Sequence, residues 1–223
     1  MKNSSKNTTS KRVQYKKGIR KVMYIESEQQ LRELYGFAKG RAKDKQLTSL
    51  EKHSRHFIET SPFMLISTYG KTGSVDCSPR GGKSGFVKVV NNNCLVIPDA
   101  KGNNRLDSLV NIIETKNIGC LFLIPGVDET LRVNGVAKLS TSAQYLAMFS
   151  EEKNPPKTCI EITIQEVFLH CAKALMRSAL WSADAKIERS TFPTMGVMIN
   201  DQLSITAPAE THEDMVARYA KDL

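Results

Sequence analysis

The sequence predicts a mainly β protein with peripheral helices, its antiparallel strands closed or partly closed into a barrel. Three observations carry this reading. Short β-branched or alternating apolar runs are numerous, helical patterns are few, and glycines mark the turns between the runs.

Residues 1–23 are poor in apolar side chains and rich in Lys, Asn, Ser and Thr, the composition of a disordered basic tail. The remainder, 24–223, reads as a single domain. Ser27-Glu-Gln-Gln30 fits a capping box, and Leu31, Leu34, Tyr35 and Ala38 follow on one face of an amphipathic helix that Gly40 stops. Residues 47–58 supply a second helix, with His53 and His56 three apart. A metal would need a third ligand that the sequence does not place, so both histidines read as solvated or hydrogen-bonded.

Residues 63–69 form a strand, 70–73 a tight turn and 74–78 the returning strand. Residues 87–90 and 94–97 pair as a hairpin through the turn Asn91-Asn92-Asn93. Pro98 ends that hairpin, 99–102 turn, and Asn103 or Asn104 stands at the N-cap of a helix beginning near Arg105, with Leu106, Leu109, Val110 and Ile113 at helical spacing. Two more strands cover 118–124 and 130–139. In the second, Leu131 and Val133 alternate with Arg132 and Asn134, as expected when only one face is buried. Residues 142–149 are a short helix and 151–156 a polar loop. A long last strand spans 158–170, where Ile160, Ile162 and Ile164 alternate with Glu161, Thr163 and Gln165. Residues 173–181 then leave the sheet with the only Trp.

Hydrophobic content of 40% and charged content of 25% are ordinary for a soluble globular protein. The net charge of +9 is uneven: residues 1–25 hold eight Lys or Arg and no acid, so the other 198 residues carry only +1. That balance argues against a nucleic-acid surface in the folded part. The tail reads as a solubilising extension or as a weak anchor for nucleic acid or an anionic membrane. No apolar run approaches the ~18 residues of a membrane span, and the N-terminus lacks a secretory core, so a cytoplasmic location is expected. The five cysteines form no C-x-x-C pair and sit mostly in apolar runs, as reduced, buried thiols do.

Two decoys occur. Gly70-Lys71-Thr72 and Gly82-Lys83-Ser84 mimic the end of a phosphate-binding loop, yet the earlier glycine that motif needs is Leu65 in one case and Cys77 in the other. No G-x-G-x-x-G occurs either, so a Rossmann site is unsupported.

The stretch 75–111 is the most informative. It places Arg80, Arg105 and an Asn pair on loops between short strands and a helix, whose free N–H groups and dipole attract an anion. Arg105 adds a planar fork suited to phosphate oxygens; the alternative is a capped surface helix with a solvated Arg. Ser78-Pro-Arg-Gly81, Ile97-Pro-Asp-Ala-Lys-Gly-Asn-Asn-Arg105, Leu123-Ile-Pro-Gly126, Glu129-Thr-Leu-Arg-Val-Asn-Gly135 and the segment from His170-Cys171 to Trp181 together resemble the pyridoxamine 5'-phosphate oxidase-like FMN-binding proteins.

The resemblance covers about residues 25–196 and implies a split β-barrel that pairs as a homodimer, with FMN in clefts at the subunit interface. It implies that Ser78 and Arg80 lie under the flavin, that Asp99, Asn103, Asn104 and Arg105 hold the phosphate, and that Asn111 lies further along the same helix. Arg132 would pass beside the ring, and Lys173, Arg177, Ser178 and Trp181 would reach the cofactor from the C-terminal segment, from either subunit. The implied activity is flavin-dependent oxidoreduction fed by NAD(P)H or another donor. Alternatives are a flavin-binding or flavin-sensing protein without turnover, or a haem or deazaflavin binder using the same cleft. No catalytic base or nucleophile is legible: His170 and Cys171 are neighbours on a strand and point to opposite faces.

Overall fold

The computed structural model describes residues 24–222. The basic stretch 1–23 lies outside the described residues. The chain divides into two compact units, Met1–Gly40 and Arg41–Leu223, a boundary inside the span that the sequence assigns to one domain.

In the first unit, α1 (Glu28–Tyr35) is capped by Ser27, whose Oγ accepts from Gln30 N at 3.3 Å, while Gln30 Oε1 accepts from Glu26 N at 2.9 Å. Gly36, at φ 70°, ends the helix four residues before the expected Gly40, because its left-handed backbone turns the chain out at no steric cost. Among the described residues, α1 buries none of its own side chains.

The second unit opens with α2 (Arg41–Asp44) and α3 (Lys52–Thr60). The helix expected from residue 47 starts later, because Glu51 and Ser54 form a reciprocal capping box and Leu47 instead bridges Val167 by two backbone hydrogen bonds of 2.9 and 2.8 Å. There follow β1 (Phe63–Tyr69), β2 (Val75–Gly81), β3 (Lys88–Asn91), β4 (Cys94–Pro98), α4 (Asp107–Thr115), β5 (Asn117–Leu123), β6 (Thr130–Ser140), α5 (Ala143–Ala147) and β7 (Cys159–His170). The strands form one antiparallel sheet in the order β2-β1-β5-β6-β7-β4-β3. Each lies where the sequence places it within a residue or two, except that β2 runs three residues beyond the expected end at Ser78, to Gly81.

One face of the sheet carries the core. Met64, Ile66, Leu95, Ile97, Phe122, Leu131, Val133, Ile160 and Ile162 are fully buried there with Ile58 of α3 and Ile112 of α4. On the other side of β4 and β7, Val96, Phe149 and Cys159 form a smaller cluster with Tyr145, Leu146 and Met148.

The alternation of β7 breaks once. The register passes from Asn134↔Glu166 to Gly135↔Ile164, leaving Gln165 as a bulge, so the buried set shifts from Ile160, Ile162 and Ile164 to Val167. Gly135 is required at this point, because a Cβ there would lie 2.2 Å from Thr163 O.

Beyond β7, α6 (Lys173–Ser178) leads through two short 3-10 turns to α7 (Met195–Leu203) and α8 (His212–Tyr219). The cysteines are more varied than expected: Cys77 and Cys171 are exposed, Cys94 is half-buried, and Cys120 and Cys159 are buried. Burial pushes the Cys120 thiol pKa up to about 12. No helix among the described residues is long and apolar enough to cross a membrane.

Candidate functional site

Alternation along β2 puts Asp76, Ser78 and Arg80 on one face, in register with buried Thr68, Ile66 and Met64 of β1. Helix α4 packs across these two strands and brings Ser108, from its first turn, onto the same polar row. Ser108 Oγ donates to Asp76 Oδ2 and lies 3.3 Å from Ser78 Oγ, while Ser78 Oγ donates to Asp76 at 3.0 Å. Arg80 Nη2 donates to Ser108 Oγ at 3.4 Å and its Nη1 to Pro79 O at 2.8 Å.

The loop from Pro98 to Leu106 closes the other side. Asn103 Oδ1 accepts from Arg105 N at 3.1 Å, and Asn104 and Leu106 adopt left-handed φ of 61° and 59°. Asn tolerates that conformation; for Leu it costs ~1–2 kcal/mol. The N-cap expected at Asn103 or Asn104 is Leu106 instead, and no side chain caps the helix. The first N–H groups of α4 are therefore left without a side-chain acceptor at the wall of the cleft, together with the positive end of the helix dipole.

Together these elements line a cleft of about 900 Å³, within the range of small-molecule sites. Its lining holds four cations, Arg80, Lys101, Arg105 and Lys157, against three carboxylates, Asp76, Asp99 and Asp107, with Phe86, Leu106 and Leu109 as apolar wall. Burial pulls the pKa of Arg80 below the ordinary guanidinium value, while Asp99 and Asp76 oppose it. Burial likewise raises Asp99, against the influence of Arg80. Arg105 is exposed, and its hydrogen bond to Asp107 at 2.9 Å raises its pKa. Among the described residues, no His, Cys or Tyr lines the cleft.

Of the residues singled out in the sequence, Ser78, Arg80, Asp99, Asn103, Asn104 and Arg105 all line this cleft. The other six do not. Asn111 donates to Thr68 Oγ1 at 3.0 Å and so fixes α4 on β1. Arg132 is exposed on the opposite face of the sheet, its guanidinium 5.1 Å from the Phe168 ring centroid. Lys173, Arg177 and Ser178 are exposed on α6, and Trp181 Nε1 donates to Val127 O at 2.9 Å. Asp76, Ser108, Phe86 and Lys157 were missed. Asp76 was within reach, since it shares the alternation of Ser78 and Arg80, whereas Ser108 and Lys157 join the site only through tertiary packing.

Several solved structures are similar to part of the chain. HupZ from Group A Streptococcus is 14% identical, with 54% of this chain and 93% of that chain covered at a TM-score of 0.45. The heme storage protein HutZ from Vibrio cholerae is 12% identical (54% and 93% covered, TM-score 0.40), and an FAD binding protein from Mycobacterium smegmatis is 17% identical (56% and 100%, TM-score 0.38). No curated protein sequence matches the chain. Residues 50–171, which are 122 of the 223, match the family described as Pyridoxamine 5'-phosphate oxidase. With that match over more than half its length and an antiparallel seven-stranded sheet flanked by helices, the chain belongs to this family and has its split-barrel fold.

Proposed function

We propose that the cleft binds flavin mononucleotide and that the protein is an FMN-dependent oxidoreductase. The observation that carries this reading is the uncapped N-terminus of α4 lying beside Arg80, Arg105, Asn103 and Asn104 in one cleft. A phosphate dianion needs this combination of backbone donors, cations and amides. Ser78 suits the hydroxyls of a ribityl chain, and Phe86, Leu106 and Leu109 offer apolar surface to a flat ring. The residues present therefore fit the cofactor. FMN, when bound, supplies two-electron transfer; the protein binds it, orients it and shields it from water.

We further propose a homodimer that pairs through the outer face of the sheet. Its outer face carries the cross-strand rows Gly81–Phe63–Leu123 and Pro79–Leu65–Leu121–Arg132–Phe168, and Phe63, Tyr69 and Val75 are exposed there. A second copy docked on this face would cover that apolar surface.

The test is a spectrum of the purified full chain and its titration with FMN. By removing a charge-assisted hydrogen bond to the phosphate, Arg105→Ala should weaken FMN by about tenfold or more. Full flavin occupancy of that variant after dialysis would remove Arg105 from the site, and a wild-type protein that binds no FMN would end the reading. Anaerobic bleaching by NADH or NADPH is the expected sign of turnover. A yellow protein inert to every donor would be a flavin carrier or sensor.

A further inference from the structure

The mouth of the cleft is touched by a part of the chain that the family match, ending at residue 171, does not include. Lys101 and Asn154 line the cleft. Lys101 Nζ forms an ion pair with Asp222, Lys153 Nζ donates to Ala220 O at 2.8 Å, and Asn154 Nδ2 donates to Lys221 O at 3.4 Å. Two ammonium groups and an amide thus converge on the C-terminal end of α8, where the helix dipole leaves partial negative charge and Asp222 adds a full one. Chemically, that end is an anion supplied by the chain itself.

The element that delivers it is poorly anchored. Neither α7 nor α8 buries a single residue. The two are tied to each other: Arg218 grips Glu210 through two bonds of 2.8 and 2.7 Å, Asn200 Nδ2 donates to Ala207 O at 2.8 Å, and a Cβ on Gly196 would lie 2.5 Å from Glu210 O. A self-contained helix pair that meets the cleft through exposed polar contacts belongs to the low-stability end of a structure.

We infer that Lys101, Lys153 and Asn154 form an anion-accepting rim that the C-terminal end of α8 occupies and that a phosphate- or carboxylate-bearing ligand takes over. The inference rests on the cleft being an anion site, as the proposed function has it. Binding there displaces Asp222 from Lys101 and frees α8, so the C-terminal helix pair reports occupancy and sets the threshold for it.

An FMN titration combined with amide exchange of α8 tests this. Because the Lys101–Asp222 pair is exposed, Asp222→Asn should tighten FMN only about two- to fivefold, and the gain should vanish in a Lys101→Met background, as a double-mutant cycle requires. Exchange at residues 212–219 should speed up as FMN saturates the wild type. If FMN binds but Asp222→Asn leaves its affinity unchanged and α8 exchange does not respond, the rim is overturned and the flavin reading stands. If no variant binds FMN, the flavin reading fails, and inorganic phosphate decides the rim: faster α8 exchange on adding phosphate supports it, unchanged exchange rejects it.

Discussion

Between β1 and β7 the chain hides Met64, Phe122, Leu131, Ile160 and Ile162 completely, whereas α7 and α8 leave Met195, Leu203, Val216 and Tyr219 exposed and bury nothing. The sheet is held by apolar packing, which is dense and intolerant of change. The C-terminal helices are held by side chain to backbone bonds and surface ion pairs, each of small net value. Stability therefore resides in the sheet, and the C-terminal segment is the less firmly held part.

The largest expected effect sharpens this contrast directly. Phe122→Ala should cost about 3–5 kcal/mol in urea unfolding, while Leu203→Ala on α7 should change it by less than about 0.5 kcal/mol; comparable losses at both positions would show that α7 packs as firmly as the sheet. A smaller but still clear loss is expected of Gly135→Ala. Its Cβ would meet the Thr163 carbonyl at 2.2 Å, and overpacking of this kind costs about 1–3 kcal/mol. An unchanged midpoint would mean that the bulge at Gln165 yields freely.

The smallest effect concerns the cleft. Burial raises the pKa of Asp99 above its ordinary 3.8, so the folded chain holds that proton more tightly than the unfolded one does. Asp99 thus favours folding below its ordinary value, and the contribution is lost as pH rises through its raised one. Across that window the wild type should lose stability relative to Asp99→Asn. Parallel pH profiles for the two proteins would place Asp99 in water.

Much of the sheet was legible in advance because strand alternation is a local signal: Leu131 and Val133 against Arg132 and Asn134 announce which face is buried before any partner strand is known. The exceptions were equally physical. Helix starts shifted where a cap of an unexpected kind took over, Glu51 with Ser54 at α3 and uncapped, left-handed Leu106 at α4. Helices α7 and α8 passed unread, although Thr194 and Thr211, whose hydroxyls accept from Val197 N and Asp214 N, carry an N-cap signal.

The sequence by itself determined the antiparallel sheet, its hairpins and the grouping of Ser78 and Arg80 with the loop from Asp99 to Arg105, because each depends on residues close together in the chain. Tertiary structure alone decided that Asp76 and Ser108 share a polar row with Arg80, that Arg132 lies across the sheet from the cleft, and that Asp222 meets Lys101. Those relations join residues from about thirty to over a hundred positions apart, and no local periodicity encodes the path by which the chain brings them together.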